Sequence, residues 1–296
     1  MVTPVVADMN HANPVDFGRI AQNGIVGVIH KAVQGVGFSD PAYASRRQQA
    51  AAANLCWAAY AFNTGDVVSA QVAHFLAVAQ PDNATGMWLD FEDNTASEMS
   101  LAQAQDFLDR VDQAIGRACG IYSGNRIKQL IVGANSATRD FFAQHPLWLC
   151  EYGPVARMVD VNRQPLPWSN WFIWQYTGDG VGPEPQTVPG LQKGADLSTF
   201  NGTPDQLRAA WPLPSLSAAP TPIATPQPAP VSVGTGTAWV QESLNKLGIA
   251  DPPLVVDGNS GRLTRAAVEA FQKKAGIAAD GLVGPETIAA IEKALG

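Results

Sequence analysis

Trp88-Leu89-Asp90-Phe91-Glu92-Asp93 is the stretch on which the reading of the fold turns. Side chains alternate along a β-strand, so Asp90 and Glu92 take one face while Leu89 and Phe91 take the other. An apolar face paired with an acidic one suits a strand with helices on one side and an open mouth on the other. Seven further short apolar runs accompany it, over 5–9, 25–31, 57–62, 121–123, 147–152, 171–176 and 195–200. Amphipathic stretches over 16–23, 41–54, 67–80 and 100–117 separate the early ones. The last of these puts Ala104, Phe107, Leu108 and Val111 on one helical face. Strand–helix alternation implies a parallel sheet, and eight strands imply its closure. Little helix separates the last three strands. The fold class expected is therefore α/β, an irregular (β/α) barrel with helices missing late in the chain.

A second composition lies beyond it. Between Pro212 and Thr237 the chain is rich in Pro, Ala, Ser and Thr and lacks apolar periodicity, as in a semi-rigid solvated spacer. The expected organisation is a catalytic barrel over 1–211, a linker over 212–237 and a small all-α three-helix domain over 238–296. In that last part Asp257-Gly258-Asn259-Ser260-Gly261-Arg262-Leu263-Thr264 is echoed by Asp280-Gly281-Leu282-Val283-Gly284-Pro285-Glu286-Thr287. Each turn signal leads into an amphipathic helix, one carrying Leu263, Ala267, Val268 and Phe271, the other Ile288, Ile291 and Leu295. An earlier helix aligns Val240, Leu244 and Leu247.

Composition narrows the function. Of 296 residues 46% are hydrophobic and 15% charged, and the formal charge of −7 argues against a nucleic-acid partner. The N-terminal stretch has no basic residue before Arg19 and reads as no signal peptide. The longest apolar run, over 51–62, is short of the roughly 20 residues of a membrane span, so no membrane insertion is expected. Cys56, Cys119 and Cys150 sit in no nucleophile motif, and Cys56 and Cys150 read as buried thiols. No His or Cys pair has metal-ligand spacing, so neither metal nor cofactor is expected.

Two carboxyls on one face raise each other's pKa. A carboxyl kept protonated near neutral pH is what protonates a leaving-group oxygen in glycoside cleavage. Asp8 lies near the end of the first strand and Asp196 in the last, neighbours in a closed barrel. Aromatic residues gather at the strand ends. Trp148 and Trp171 are assigned to the core, whereas Tyr60, Tyr122 and Trp174 are the candidates to line a sugar cleft.

The joint order of motifs resembles glycoside hydrolase family 25, the muramidases. It comprises Asp8, Lys31-Ala32-Val33-Gln34-Gly35, Tyr60-Ala61-Phe62, Leu89-Asp90-Phe91-Glu92, Ile121-Tyr122-Ser123, Leu147-Trp148-Leu149, Trp174-Gln175-Tyr176 and Asp196-Leu197-Ser198. The resemblance spans about 3–205 and implies hydrolysis of the β-1,4 bond between N-acetylmuramic acid and N-acetylglucosamine. It implies Glu92 as general acid/base, Asp90 assisting, and Asp8 and Asp196 completing an acidic floor. Ala61, Ser198 and Gln34 depart from the family's commonest His, Asn and Glu. The C-terminal repeat resembles the three-helix peptidoglycan-binding family. The partner expected is bacterial peptidoglycan, met by a monomer made in the cytoplasm and acting on the wall after release, as a phage endolysin or a bacterial lysozyme. Two other readings stay open: a barrel that only binds wall sugar, disfavoured by the intact Asp90 and Glu92, and an amidase or peptidase, which normally needs a zinc site or a Cys–His pair.

Overall fold

The structure is a computed structural model that describes residues 2–94, 96–213, 237–250, 253–254, 256, 262–277, 279, 281, 283 and 285–295. The chain falls into two compact units, Met1–Thr221 and Pro222–Gly296.

Unit 1 is built on β1 (Val6–Met9), β2 (Gly27–Gln34), β3 (Phe38–Ser39), β4 (Cys56–Phe62), β5 (Thr85–Asp90), β6 (Gly120–Ser123), β7 (Leu147–Cys150), β8 (Ile173–Thr177) and β9 (Asp196–Phe200). Eight of these close a barrel in the order β1-β9-β8-β7-β6-β5-β4-β2, with β1 pairing back onto β2, while β3 folds onto β2 as a two-residue hairpin. Pairing is parallel from β1 through β2 to β8, but β9 runs antiparallel to both β8 and β1. No helix lies among the described elements between β7 and β9, which is the irregularity anticipated from the sequence.

Helices α1 (Phe17–Gln22), α2 (Tyr43–Ala52), α3 (Val68–Ala79) and α4 (Leu101–Ile115) occupy the four amphipathic stretches. Ser100 and Gln103 close a reciprocal capping box at the start of α4. α5 (Asn125–Leu130), α6 (Ser136–Ala143) and α7 (Pro204–Ala210) were not anticipated. They are too short to show a clear helical period, although α6 carries a start signal: the Asn135 side chain accepts from Thr138 N at 2.9 Å.

The pleat sorts side chains into two cores. Outside the sheet, Leu89 and Phe91 join Phe75, Phe107, Leu108 and Val111 of α3 and α4. Inside it, Tyr60, Trp88, Tyr122, Trp148, Ile173 and Phe200 fill the barrel, with the Trp148 ring tilted 4.4 Å from Tyr122 and edge-on 5.7 Å from Trp88. Gly120 makes room for Trp88, because a Cβ there would collide with the indole ring. The base is plugged by Leu207, Trp211 and Leu213, and the Trp211 indole N–H donates to Trp57 O at 2.9 Å. Pro212 and Leu213 thus pack with the barrel rather than starting the spacer.

Unit 2 holds α8 (Thr237–Lys246), α9 (Arg262–Ala275) and α10 (Pro285–Leu295) around Val240, Leu244, Ala267, Val268, Phe271 and Ile291. Two equivalent bonds mirror the internal repeat: Gln241 Nε2 donates to Thr264 Oγ1 at 3.1 Å, and Gln272 Nε2 to Thr287 Oγ1 at 3.0 Å. Leu263 and Leu295, assigned to the helical core from periodicity, are instead exposed at 66% and 40%. Both occupy end turns, where a helical face runs past its neighbours. Most of the expected linker, and Asp257, Gly258, Gly261, Asp280 and Gly284 of the turns, lie outside the described residues. Among the described residues no helix is long and apolar enough to cross a membrane.

Trp211→Ala should lower the stability of the barrel by about 2–4 kcal/mol, because it empties the basal plug and removes the hydrogen bond to the Trp57 carbonyl. Urea unfolding followed by circular dichroism measures the shift.

Candidate active site

Closure through β1 sets the site. Asp8, near the end of β1, lies opposite Asp196, the first residue of β9. Asp90 ends β5 and pairs with Phe62 on one side and Tyr122 on the other. Glu92 follows just past the strand on backbone that its neighbours pin. Phe91 N donates to Tyr122 O at 2.8 Å, Ser123 Oγ to Phe91 O at 2.6 Å, and Asn63 Nδ2 to Glu92 O at 3.1 Å. The pleat continues far enough for Phe91 to stay outside and Glu92 to join the acids.

Four carboxyls thus share one barrel mouth, and each is pushed above the ordinary carboxylate range. For Asp8 burial is the main cause, followed by repulsion from Asp196, Asp90 and Glu92. Burial also leads for Asp90, with Glu92 adding to it and the Lys31 ammonium pulling the other way. Glu92 is raised by burial and further by Asp179 and Asp93, against a hydrogen bond with Tyr122. Asp196 is pushed up to about 7 by burial and the Asp179 charge, which outweigh a hydrogen bond from the Asp179 backbone. Asp90 Oδ1 is buried without a hydrogen-bond partner among the described residues, an acceptor left free for a donor.

The structure brings Asp8, Asp90, Glu92, Asp196, Tyr60 and Tyr122 together. Tyr60 and Tyr122 are buried in the barrel interior, and carboxylates of the cluster act on both hydroxyls. Trp174 is not among them. It lies on the outer face of β8, 5.8 Å from Trp171 and 6.1 Å from Tyr176, with its indole N–H on Glu151 O at 2.8 Å. The residue that β8 turns inward is Gln175, whose Oε1 accepts from the Tyr122 hydroxyl at 2.5 Å and whose Nε2 donates to Asp8 Oδ1 at 3.3 Å. Alternation along Trp174-Gln175-Tyr176 signals that only one of the first two can face the barrel, and the aromatic was the wrong choice for the inner face.

Cys56 and Cys150, expected to be buried thiols, are each only partly buried. Cys150 lines a cleft of about 450 Å³ together with Glu92, Tyr152, Glu151, Arg126 and Arg157. Burial pushes its thiol up to about 12, against a hydrogen bond with Tyr122. A protonated thiol of that kind is a poor nucleophile. Asp93 points away from the acids to pair with Arg126 at 3.4 Å. Gly178 is a further position missed: a Cβ there would run into the Asp196 carboxyl and the Tyr152 hydroxyl. Among the described residues no group of three or more His, Cys, Asp or Glu is placed to hold a metal ion.

An acid cluster at the C-terminal mouth of a closed, partly antiparallel barrel narrows the relatives sharply. The model of glycosyl hydrolases family 25 matches residues 8–184, more than half of the chain. The chain belongs to this family and is a glycoside hydrolase. The family match stops short of β9, so Asp196 lies beyond it. A peptidoglycan binding domain model matches 233–291. Among solved structures, a family GH25 lysozyme from Aspergillus fumigatus aligns with TM-score 0.55 and 26% identity over 70% of this chain and 98% of its own. The bacterial lysozyme of Streptomyces coelicolor aligns with TM-score 0.58 and 22% identity over 70% and 96%. The endolysin CTP1L does so with TM-score 0.52 and 20% identity over 69% of each chain. No curated protein matches the chain. Of the family 25 departures, Ala61 is buried against the outer helices, Ser198 Oγ accepts from the Trp148 indole at 3.1 Å, and Gln34 Oε1 accepts from Lys31 Nζ at 2.8 Å.

The raised Asp196 makes a pH prediction with a definite sign. Its folded pKa lies above its unfolded one, so its contribution to stability is fully present below about pH 4 and is lost as pH rises through about 7. Asp196→Asn removes that loss. The variant should match the native chain at pH 4 and exceed it at pH 8 by on the order of 2 kcal/mol in urea unfolding.

Proposed function

We propose that Glu92 is the general acid/base of a muramidase and that Asp90 assists it. The chain is a peptidoglycan hydrolase: it carries a family 25 barrel and, at its C-terminal end, a match to a peptidoglycan binding domain. The bond we assign is the β-1,4 linkage between N-acetylmuramic acid and N-acetylglucosamine. One observation carries the roles. Glu92 is the acid of the cluster that lines the cleft, and burial keeps its carboxyl above the ordinary range. A protonated carboxyl at the cleft wall can give its proton to the leaving oxygen, and as a carboxylate can then take one from water.

Asp90 lies deeper and offers the unpartnered Oδ1, an acceptor suited to the N–H of the sugar's 2-acetamido group. Orienting that amide would align its oxygen with the reacting carbon, as substrate-assisted glycosidases require. Asp8 and Asp196 complete the floor, and their field favours the positive charge that develops on the sugar ring. Tyr60 and Tyr122 shape the wall beneath.

Unit 2 serves as a wall anchor, linked to the barrel through the Pro-rich stretch, so that one bound module raises the local concentration of the other. Origin in the cytoplasm with release onto the wall, and a monomeric state, are part of the same proposal.

Glu92→Gln should keep the fold and lower turnover on purified cell walls at least about a hundredfold, read as new reducing ends. Asp90→Asn should be comparably severe. Asp93→Asn should be mild, since its carboxylate faces Arg126. Native-like lysis by the Glu92 variant would remove the assignment. A chain ending at Leu213 should cleave soluble glycan fragments like the full chain yet sediment less with insoluble walls. Equal sedimentation of the two would remove the anchor.

A further inference from the structure

One group of charges borders the cleft without belonging to the acid cluster. Glu151 follows β7, and its carboxylate pairs with the Lys128 ammonium of α5 through one oxygen and with the Arg157 guanidinium through the other. Lys128 and Glu151 are buried, whereas the Arg157 side chain is 70% exposed. Arg157 and Glu92 line the same cleft.

The anchor of this group is rigid. Glu151 N donates to Gln175 O at 3.2 Å and the Trp174 indole donates to Glu151 O at 2.8 Å, so β8 holds the Glu151 backbone. Val161 N donates to Lys128 O at 3.2 Å, which ties the segment carrying Arg157 to α5. A buried charge persists only where it is paired. Lys128 already balances Glu151, so two cations against one carboxylate leave one positive charge in excess. That excess sits on the exposed member. Arg157 uses Nε and Nη2 on Glu151 Oε1. Of the five N–H groups of a guanidinium, the remainder include both on Nη1, which bonds no described residue, and they are held in a fixed plane at the cleft wall.

The other guanidinium at the cleft has no such excess. Arg126 meets Asp93 and Glu98 and donates to Met99 O at 2.9 Å, one cation against two carboxylates. Among the described residues lining the cleft, Arg157 is therefore the uncompensated cation. The acids of the mouth repel an incoming carboxylate, so a substrate arm of that charge needs a cation beyond them.

The linkage assigned above presents such an arm. Both of its rings carry neutral acetamido groups, but the muramic ring adds an ether at O3 that ends in a carboxyl. That carboxyl is free or is joined to a peptide with carboxylates of its own. We propose that Arg157 is a specificity-determining residue: its guanidinium, held by buried Glu151, takes a carboxylate on the O3 arm of the muramic ring. An arginine fork matches the two oxygens of a carboxylate, as a lysine ammonium does not. This rests on the reading that the cleft takes the muramic glycan, and not on which acid gives the proton.

Three soluble glycans test it: strands stripped of peptide, strands with peptide intact, and stripped strands with the carboxyl capped as its methylamide. Hydrolysis by the full chain is read as new reducing ends, and binding by calorimetry in a Glu92→Gln background. Arg157→Gln leaves the Lys128–Glu151 pair in place and should keep the fold. It should raise KM about five- to tenfold on a carboxylate-bearing strand, the scale of a partly exposed charge-assisted pair, with kcat within about twofold. KM on the capped strand should not move, and the rise should shrink as salt is added. Arg157→Lys should recover only part of the loss.

A rise on stripped strands puts the lactyl carboxylate on Arg157, and a rise confined to peptide-bearing strands puts a carboxylate of the peptide there. A rise of equal size on capped strands overturns the inference, because Arg157 then acts on the shape of the cleft and not through charge. So does an Arg157→Gln chain that cleaves and binds all three as the native chain does, an outcome that leaves the muramidase reading standing. If the native chain cleaves none of the three, that reading falls and calorimetry decides: carboxylate-selective binding lost in Arg157→Gln upholds the inference, and binding of no strand overturns it.

Discussion

Closure of the sheet through β1 is the constraint on which this molecule depends. β1 pairs in parallel with β2 and antiparallel with β9. That double pairing sets residue 8 against residue 196 and turns a row of strand ends into a ring. In an open sheet Asp8 would stand at an edge, remote from one or other of its partners. The ring concentrates four carboxyls in a buried mouth, which charge repulsion alone would scatter. What holds it is apolar packing beneath: Trp88, Trp148 and Tyr122 interlock inside the barrel, and Trp211 closes the base. A packed core deforms little, so it keeps the acids close enough to perturb one another.

That closeness sorts the acids by depth. Asp90 is buried and Asp8 only partly so, and burial dominates the upward shifts of both. Glu92 borders the cleft. Its backbone is tied to β6 and to Asn63, so the carboxyl is placed by hydrogen bonds as well as by the strand. Gln175 links the mouth to the barrel interior, its Oε1 accepting from the Tyr122 hydroxyl and its Nε2 donating to Asp8.

The small C-terminal unit solves a different problem. Among the described residues, three short helices enclose a small core of buried apolar residues, near the lower limit for a self-sufficient domain. Its repeat supplies buried glutamine–threonine bonds to Thr264 in α9 and Thr287 in α10. Such bonds satisfy polar groups inside the core.

The sequence alone determined whatever follows from period and order. The two-residue alternation around Asp90 and Glu92 placed both acids inside and Leu89 and Phe91 outside. The spacing of apolar runs yielded eight strands and four helices, and the gap in that rhythm foretold the missing late helices. Composition separated a Pro-rich stretch from its flanks. Only the tertiary structure decided which inward residues meet. On β8 the expected cleft residue, Trp174, packs outside, and the alternation turns Gln175 inward instead. Cys150 was read as core, because local neighbours do not reveal that β7 ends at a cleft. The antiparallel return of β9 has no local signature either, since an apolar strand reads the same in both directions. Pairing direction, and with it the meeting of Asp8 and Asp196, is set by closure over nearly two hundred residues of chain, a contact no short window of sequence contains.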